Sequence, residues 1–340
     1  MPVLGGGGIH DRLAPHPLGS LALSGAGLLT IEATAVEPEG RISYANLGLY
    51  DDATEAAMAR TPGAMRHVSD MPIMIQLGHA GRKASREVPW KPAAQFPSDT
   101  ANGWQTVVPS ALPFAPEYLP PQALDRAGWP GCARRSLPRP GAARLGLDAI
   151  QLHGAHGYLL HSFLSPLSNR RDDACGGSLE NRMRFSLEVF GAVRDAFYAG
   201  KPVSVRVSAT DWIEGGWDVE QTITFVQSLK TRGCSGVNAS SGGTDNRQKV
   251  PTGPGYQVPL ARAVKQAIRI PVIAVGMITE FEHAEAILAG GDADFVALAR
   301  AMIFDPRWPW HATVWAPMPY HRAQPSRYRS LFETADQAAA

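Results

Sequence analysis

Seven short runs dominated by apolar and β-branched residues recur along the chain: 27–36 (GLLTIEATAV), 72–79 (PIMIQLGH), 148–154 (DAIQLHG), 202–209 (PVSVRVSA), 235–241 (SGVNASS), 271–276 (PVIAVG) and 294–299 (DFVALA). Each has the pattern of a strand buried in a parallel sheet. Helical patterns fill most of the intervals. One covers Ser178 to Ala199 and another Asp218 to Arg232, with Asp218 as N-cap and Gln221 three residues on. A third, Phe281 to Leu288, follows Thr279 and Glu282 in capping-box spacing. Strand followed by helix, repeated, predicts an α/β protein with a parallel sheet.

Such a sheet is either open and doubly wound or closed as a (β/α)8 TIM barrel. No GxGxxG follows the first strand, whereas polar residues stand at the C-terminal ends of many strands: Glu32, Gln76 with His79, His153, Arg206, Ser240 with Ser241, Gly276 and Arg300. Drawing one site from the same end of many strands predicts the barrel. A barrel needs eight strands and seven are legible. Residues 1–26 show no apolar alternation for a first strand, and 128–141 (GWPGCARRSLPRPG) stands where an outer helix belongs. Interior prolines cost about 3 kcal/mol each in a helix, and this stretch holds Pro130, Pro138 and Pro140. The expected fold is therefore a TIM barrel over 27–316 that lacks or alters its first strand and one outer helix, with a divergent segment 1–26 and a tail 317–340. Both anomalous stretches have the composition of a shifted reading frame in a GC-rich gene, which resequencing would test.

Charge narrows the partners. The 340 residues carry 32 Lys+Arg against 31 Asp+Glu, a net charge of +1, with no block of like charge. That argues against a nucleic-acid or membrane-surface partner and for small-molecule or cofactor chemistry. Cys132, Cys175 and Cys234 lie far apart with no CxxC, so neither a disulfide framework nor a cysteine metal site is encoded. The N-terminus lacks the layout of a signal peptide, and the best apolar run, Leu21 to Ala35, is interrupted by Glu32. A cytoplasmic protein is expected.

The chemistry concentrates at LHGAHGYLLHSF, where His153 and His156 lie three residues apart, followed by Tyr158 and His161. Two converging imidazoles can donate jointly to one substrate oxygen and stabilise charge developing there. They could also bind metal, although HxxH without nearby carboxylates is a weak metal signal; either histidine alone could simply be a barrel-rim residue. The loops GMIT (276–279) and ARAMIFDP (299–306) follow strands seven and eight of the expected barrel, where backbone N–H groups commonly bind phosphate, and Arg300 adds a donor pair. Any one glycine there is most often a turn residue, but three adjacent strand ends agree. Arg206 closes an otherwise apolar strand and calls for an anionic partner. Gln76 offers amide donors and an acceptor, suited to a heteroaromatic edge or to the polar rim.

The runs IQLGHAGRKAS (75–85), LHGAHGYLLHSFLSPLSNRRDD (152–173), GGSLENRMRF (176–185), VRVSATD (205–211) and VGMITEFEHAEAIL (275–288) resemble the Old Yellow Enzyme family. They look most like its thermophilic-like bacterial branch, NADPH dehydrogenases and ene-reductases carrying FMN in a TIM barrel. The resemblance implies that Ala33 lies against the flavin ring, Gln76 bonds its pyrimidine edge, and Arg206 sits beside N1 and C2=O. It implies that Ser241, Gly276, Met277, Ala299 and Arg300 surround the phosphate. His153 and His156 would hold the carbonyl oxygen of an α,β-unsaturated substrate for hydride from flavin N5, Tyr158 would line the substrate side, and NADPH would reload the flavin in the same pocket. A homo-oligomer with Arg329 crossing to a neighbouring site is also implied. The family's first strand has no counterpart before Gly27, which leaves the proton donor unassigned; Cys175 and Ala299 depart from the family's Tyr and Gly. A flavin-binding but catalytically impaired relative and a metal-dependent hydrolase are the alternatives.

Overall fold

The computed structural model describes residues 15–125 and 145–315. The seven apolar runs become strands β1 (Leu29–Ala35), β2 (Ile73–Gly78), β5 (Ala149–Gly154), β6 (Val203–Ser208), β7 (Val237–Ser240), β8 (Val272–Val275) and β9 (Phe295–Ala297). They form one parallel sheet in the order β1-β2-β5-β6-β7-β8-β9. Two-residue strands β3 (Val107–Val108) and β4 (Gln122–Ala123) pair separately in the long loop after β2. Helices complete the strand–helix repeat: α1 (Pro15–Ala22), α2 (Asp52–Arg66), α3 (Leu159–Leu164), α4 (Leu179–Ala196), α5 (Val219–Lys230), α6 (Val258–Ala267), α7 (Phe281–Ala289), α8 (Arg300–Phe304) and α9 (Trp308–Trp315). This is the winding of a TIM barrel with seven of its strands described.

Period two explains how the strands are buried on both faces. Ile73, Ile75, Leu77, Ile150, Leu152, Val203, Val205, Val207, Val237 and Ala239 form one row in the core with the helices. The alternate positions, Gln76, Gln151, His153, Ser204, Arg206, Ser208, Asn238 and Ser240, make the opposite, polar row, aligned by the pairs Gln76↔Gln151, His153↔Arg206 and Arg206↔Asn238. The polar row faces the barrel axis and builds the mouth.

Local chemistry sets several helix ends. Asp218 caps α5 by accepting from the Gln221 N–H at 2.9 Å, and Ser178 caps α4 by accepting from the Asn181 N–H at 3.3 Å. The expected capping box at α7 does not form: Glu280 is the N-cap without a side-chain bond, and Thr279 Oγ1 donates instead to Glu280 Oε1 at 3.1 Å. Before Gly27 the described residues hold a helix and no strand. Pro15–Ala22 is helical, and its Leu18 and Ala22 join the core; prolines in a first turn cost little because those N–H groups lack helical partners anyway. Among the described residues β1 and β9 each have a neighbouring strand on one side only, the other edge of β1 making a single parallel bridge from Ala35 to Gly48, and Phe295 of β9 is 56% exposed. The expectations for 128–141, Cys132, the tail 317–340 and Arg329 lie outside the described residues.

Candidate active site

The polar row leaves unmet valences at its centre. Gln76 Nε2 donates to Gln151 Oε1 at 2.7 Å with both side chains buried. Gln151 Nε2, Arg206 Nε and Asn238 Oδ1 are buried without hydrogen-bond partners among the described residues. A buried polar atom left unpaired costs roughly 1–3 kcal/mol, so three on consecutive strands mark a place for a polar ligand. Burial also holds the Arg206 guanidinium below its ordinary pKa, the cost of a cation without a carboxylate beside it. This donor and acceptor set fits a flat heterocycle with carbonyl and N–H edges, and Arg206 fits a ring that gathers negative charge.

At the exit of β5 the chain turns sharply, with φ of +59° at His156 and +72° at Gly157. The Ala155 N–H donates to His153 Nδ1 at 3.3 Å, which assigns the His153 proton to Nε2. That nitrogen lies 3.3 Å from His156 Nδ1, leaving His156 Nε2–H as an outward donor. Burial, then the Arg206 charge, pulls both imidazoles well below 6.5, so both are neutral at pH 7. Tyr158 packs edge-on to His153 with centroids 4.7 Å apart, and burial pushes its phenol up to about 12. Ala33, Gly78, His79, His153 and Tyr158 line one cavity. His79 is fixed within it, accepting from the Gly81 N–H at 3.0 Å through Nδ1 and lying 2.8 Å from Glu37 Oε1 through Nε2.

The expected phosphate residues follow three adjacent strands, β7, β8 and β9. Ser241 Oγ donates to Gln257 Oε1 at 2.8 Å, and Gln257 Nε2 donates to the Val275 carbonyl at 3.1 Å. Gly276 has φ +124°, and a Cβ there would meet Gln257 Nε2 at 2.8 Å, so this turn requires glycine. Met277 follows at φ +51°, whereas Ala299 has φ −126°, outside the left-handed region that favours glycine. Arg300 is exposed at the start of α8 and makes no hydrogen bond or ion pair among the described residues.

Sequence reasoning missed Gln151, Asn238, Lys83 and the Glu37–His79 pair. The alternation in QLH (151–153) and NAS (238–240) could have flagged the first two. Among the described residues no group of three or more His, Cys, Asp or Glu could hold a metal ion, and no helix is long and apolar enough to cross a membrane.

A parallel barrel that gathers these groups at one mouth is of the flavoprotein oxidoreductase class. The NADH:flavin oxidoreductase / NADH oxidase family matches residues 20–314, and the chain belongs to it. It is 37% identical over 314 residues to the NADPH dehydrogenase of Geobacillus thermodenitrificans (strain NG80-2), spanning 88% of this chain and 85% of that one. It superposes on the Old Yellow Enzyme homologue of Zymomonas mobilis with a TM-score of 0.72 at 27% identity, covering 94% of this chain and 88% of the other. A TM-score of 0.79 against a 2-naphthoyl-CoA reductase at 23% identity shows shared fold alone, and there the chain spans 49% of the longer protein.

Proposed function

We propose that the protein is an FMN-dependent NADPH oxidoreductase that reduces the activated C=C bond of α,β-unsaturated carbonyl compounds. The observation that carries this reading is the pair of neutral imidazoles, His153, which lines a cavity with Ala33 and Tyr158, and His156, 3.3 Å from it, one strand from the desolvated Arg206. FMN, when bound, supplies the hydride acceptor and donor in one ring. Gln76, Gln151, Asn238 and Arg206 would hold that ring, with Ala33 against its face; Ser241, Gly276, Met277, Ala299 and Arg300 would hold its phosphate.

The two imidazoles then act on the substrate as a relay. His156 Nε2–H would donate to its carbonyl oxygen, drawing electron density from the conjugated double bond and stabilising the negative charge that builds on oxygen, while His153 Nε2–H donates to His156 Nδ1 and fixes that tautomer. Both rings being neutral, His156 donates without transferring a proton. Tyr158 keeps its proton at pH 7, since its pKa lies at about 12. It lines the same cavity, edge-on to His153, as a substrate-side wall. NADPH would occupy the same cavity first and leave as NADP+ before the enone enters, giving alternating turnover.

The reading predicts that the purified protein carries a visible flavin band that NADPH bleaches anaerobically and 2-cyclohexenone restores. A colourless protein that takes up no FMN would sink it. A second reading, a flavin-binding but slow relative, draws on the one-sided pairing of β1 and β9. Bleaching by NADPH without reoxidation by cyclohexenone is its signature.

A further inference from the structure

The turn that carries His156 is held by side chains to which the proposed reaction gives no part. The peptide between His156 and Gly157 is bonded at both ends by side chains from elsewhere. Its carbonyl accepts from Lys83 Nζ at 3.0 Å, and its N–H donates to His161 Nδ1 at 2.9 Å. The His156 N–H donates to Ser208 Oγ at 2.9 Å. Each restraint is itself anchored. Lys83 Nζ also donates to the Gly243 carbonyl at 3.0 Å, tying the exit of β5 to the exit of β7. It lies 4.4 Å from the Phe114 ring centroid and 5.6 Å from that of Tyr158. With Nδ1 accepting, His161 carries its proton on Nε2, 3.2 Å from Asp211 Oδ1; neither side chain reaches solvent. Asp211 Oδ2 accepts from Ser165 Oγ at 2.6 Å and from the Trp217 N–H at 2.8 Å.

The turn needs such restraint. His156 sits at φ +59°, a left-handed conformation that a residue with a Cβ adopts rarely. Rotation about φ toward negative values would relax it and would swing both its imidazole and the following peptide, so bonds that hold that peptide oppose the swing. A buried ammonium among the described residues with no carboxylate in ion-pairing range is also costly, and Lys83 spends its hydrogen bonds on two backbone carbonyls.

We propose that Lys83 and His161 are positioning residues that together fix the His156–Gly157 peptide, and through it the direction from which His156 meets the substrate oxygen. The consequence for turnover rests on the proposed ene-reduction, whereas the peptide geometry does not.

The test uses the full chain as wild type, Lys83→Met, Lys83→Arg and His161→Leu. Each is crystallised, its imidazole 15N signals are recorded without flavin, and then it is loaded with FMN and assayed with NADPH and 2-cyclohexenone. The expected result is a turned 156–157 peptide and displaced His156 signals in Lys83→Met and His161→Leu. FMN content should match wild type, while kcat falls at least about tenfold, in line with small misplacements of catalytic groups; Lys83→Arg should recover part of it. An unmoved peptide and unchanged His156 signals in both variants would overturn the proposal, as would unchanged kcat in both with FMN bound. If Lys83→Met does not fold, Lys83→Gln, which keeps a donor but no charge, is read by the same peptide and signals. Failure of the ene-reductase reading would show in the wild-type protein, as absent FMN uptake or absent cyclohexenone turnover, while the flavin-free spectra still decide the positioning role.

Discussion

Arg206 is a cation buried for a purpose other than stability. Its Nε has no partner and burial lowers its pKa, so replacing it with methionine should stabilise the flavin-free protein, by about 1–3 kcal/mol in urea unfolding. The same variant should lose FMN affinity by equilibrium titration. The histidines make the converse point about protons. Because their folded pKa values lie below the ordinary 6.5, the unfolded chain binds more protons between those values and pH 6.5. Their contribution is therefore complete above about pH 6.5 and lost as pH falls toward the folded pKa. The melting temperature of wild type should drop on acidification through that window, and the drop should shrink in His153→Asn with His156→Asn. Lys83, held at about 8 by burial, acts with the same sign in the alkaline range: stability relative to Lys83→Met should rise from about pH 8 to about pH 10.4, where the unfolded lysine still binds its proton.

At the scale of elements, the site depends on where strand exits cross. A Cβ on Gly157 would meet the Gly243 carbonyl at 2.2 Å, and one on Gly243 would meet His156 Cα at 2.5 Å. With φ at +72° and +90° as well, neither position tolerates a side chain. Gly157→Ala should cost more than about 2 kcal/mol in urea unfolding and lower FMN-loaded activity with it. The helix ends are more forgiving. Asp218→Ala removes the bond to the Gln221 N–H and should cost about 1 kcal/mol while leaving FMN binding intact.

Over the whole molecule, the sheet is strongest at its centre and weakest at its ends. β5 and β6 have neighbours on both sides, whereas β9 pairs only with β8 among the described residues and shows Phe295 to solvent. Hydrogen exchange should therefore be faster at 295–297 than at 150–153 or 203–207, because protection follows pairing and burial. Equal protection at both would mean that the edge of β9 is covered. An exposed edge also favours association, so dilution and the oligomeric state should be followed together with exchange.

The strands, their parallel order and most helices were legible because period-two and helical patterns are local: each is written within a dozen residues. The imidazole pair was legible for the same reason, His153 and His156 being three residues apart on one turn. One local reading failed where packing outweighed pattern, at the unformed capping box before α7. What the sequence determined by itself is a parallel α/β barrel with polar residues at the C-terminal ends of its strands and histidines at one mouth. Tertiary structure alone decided which polar atoms pair and which are left over. Gln76 meets Gln151 across 75 residues and Lys83 meets His156 across 73, and no local pattern encodes a hydrogen bond between strands until the sheet's register has set them side by side.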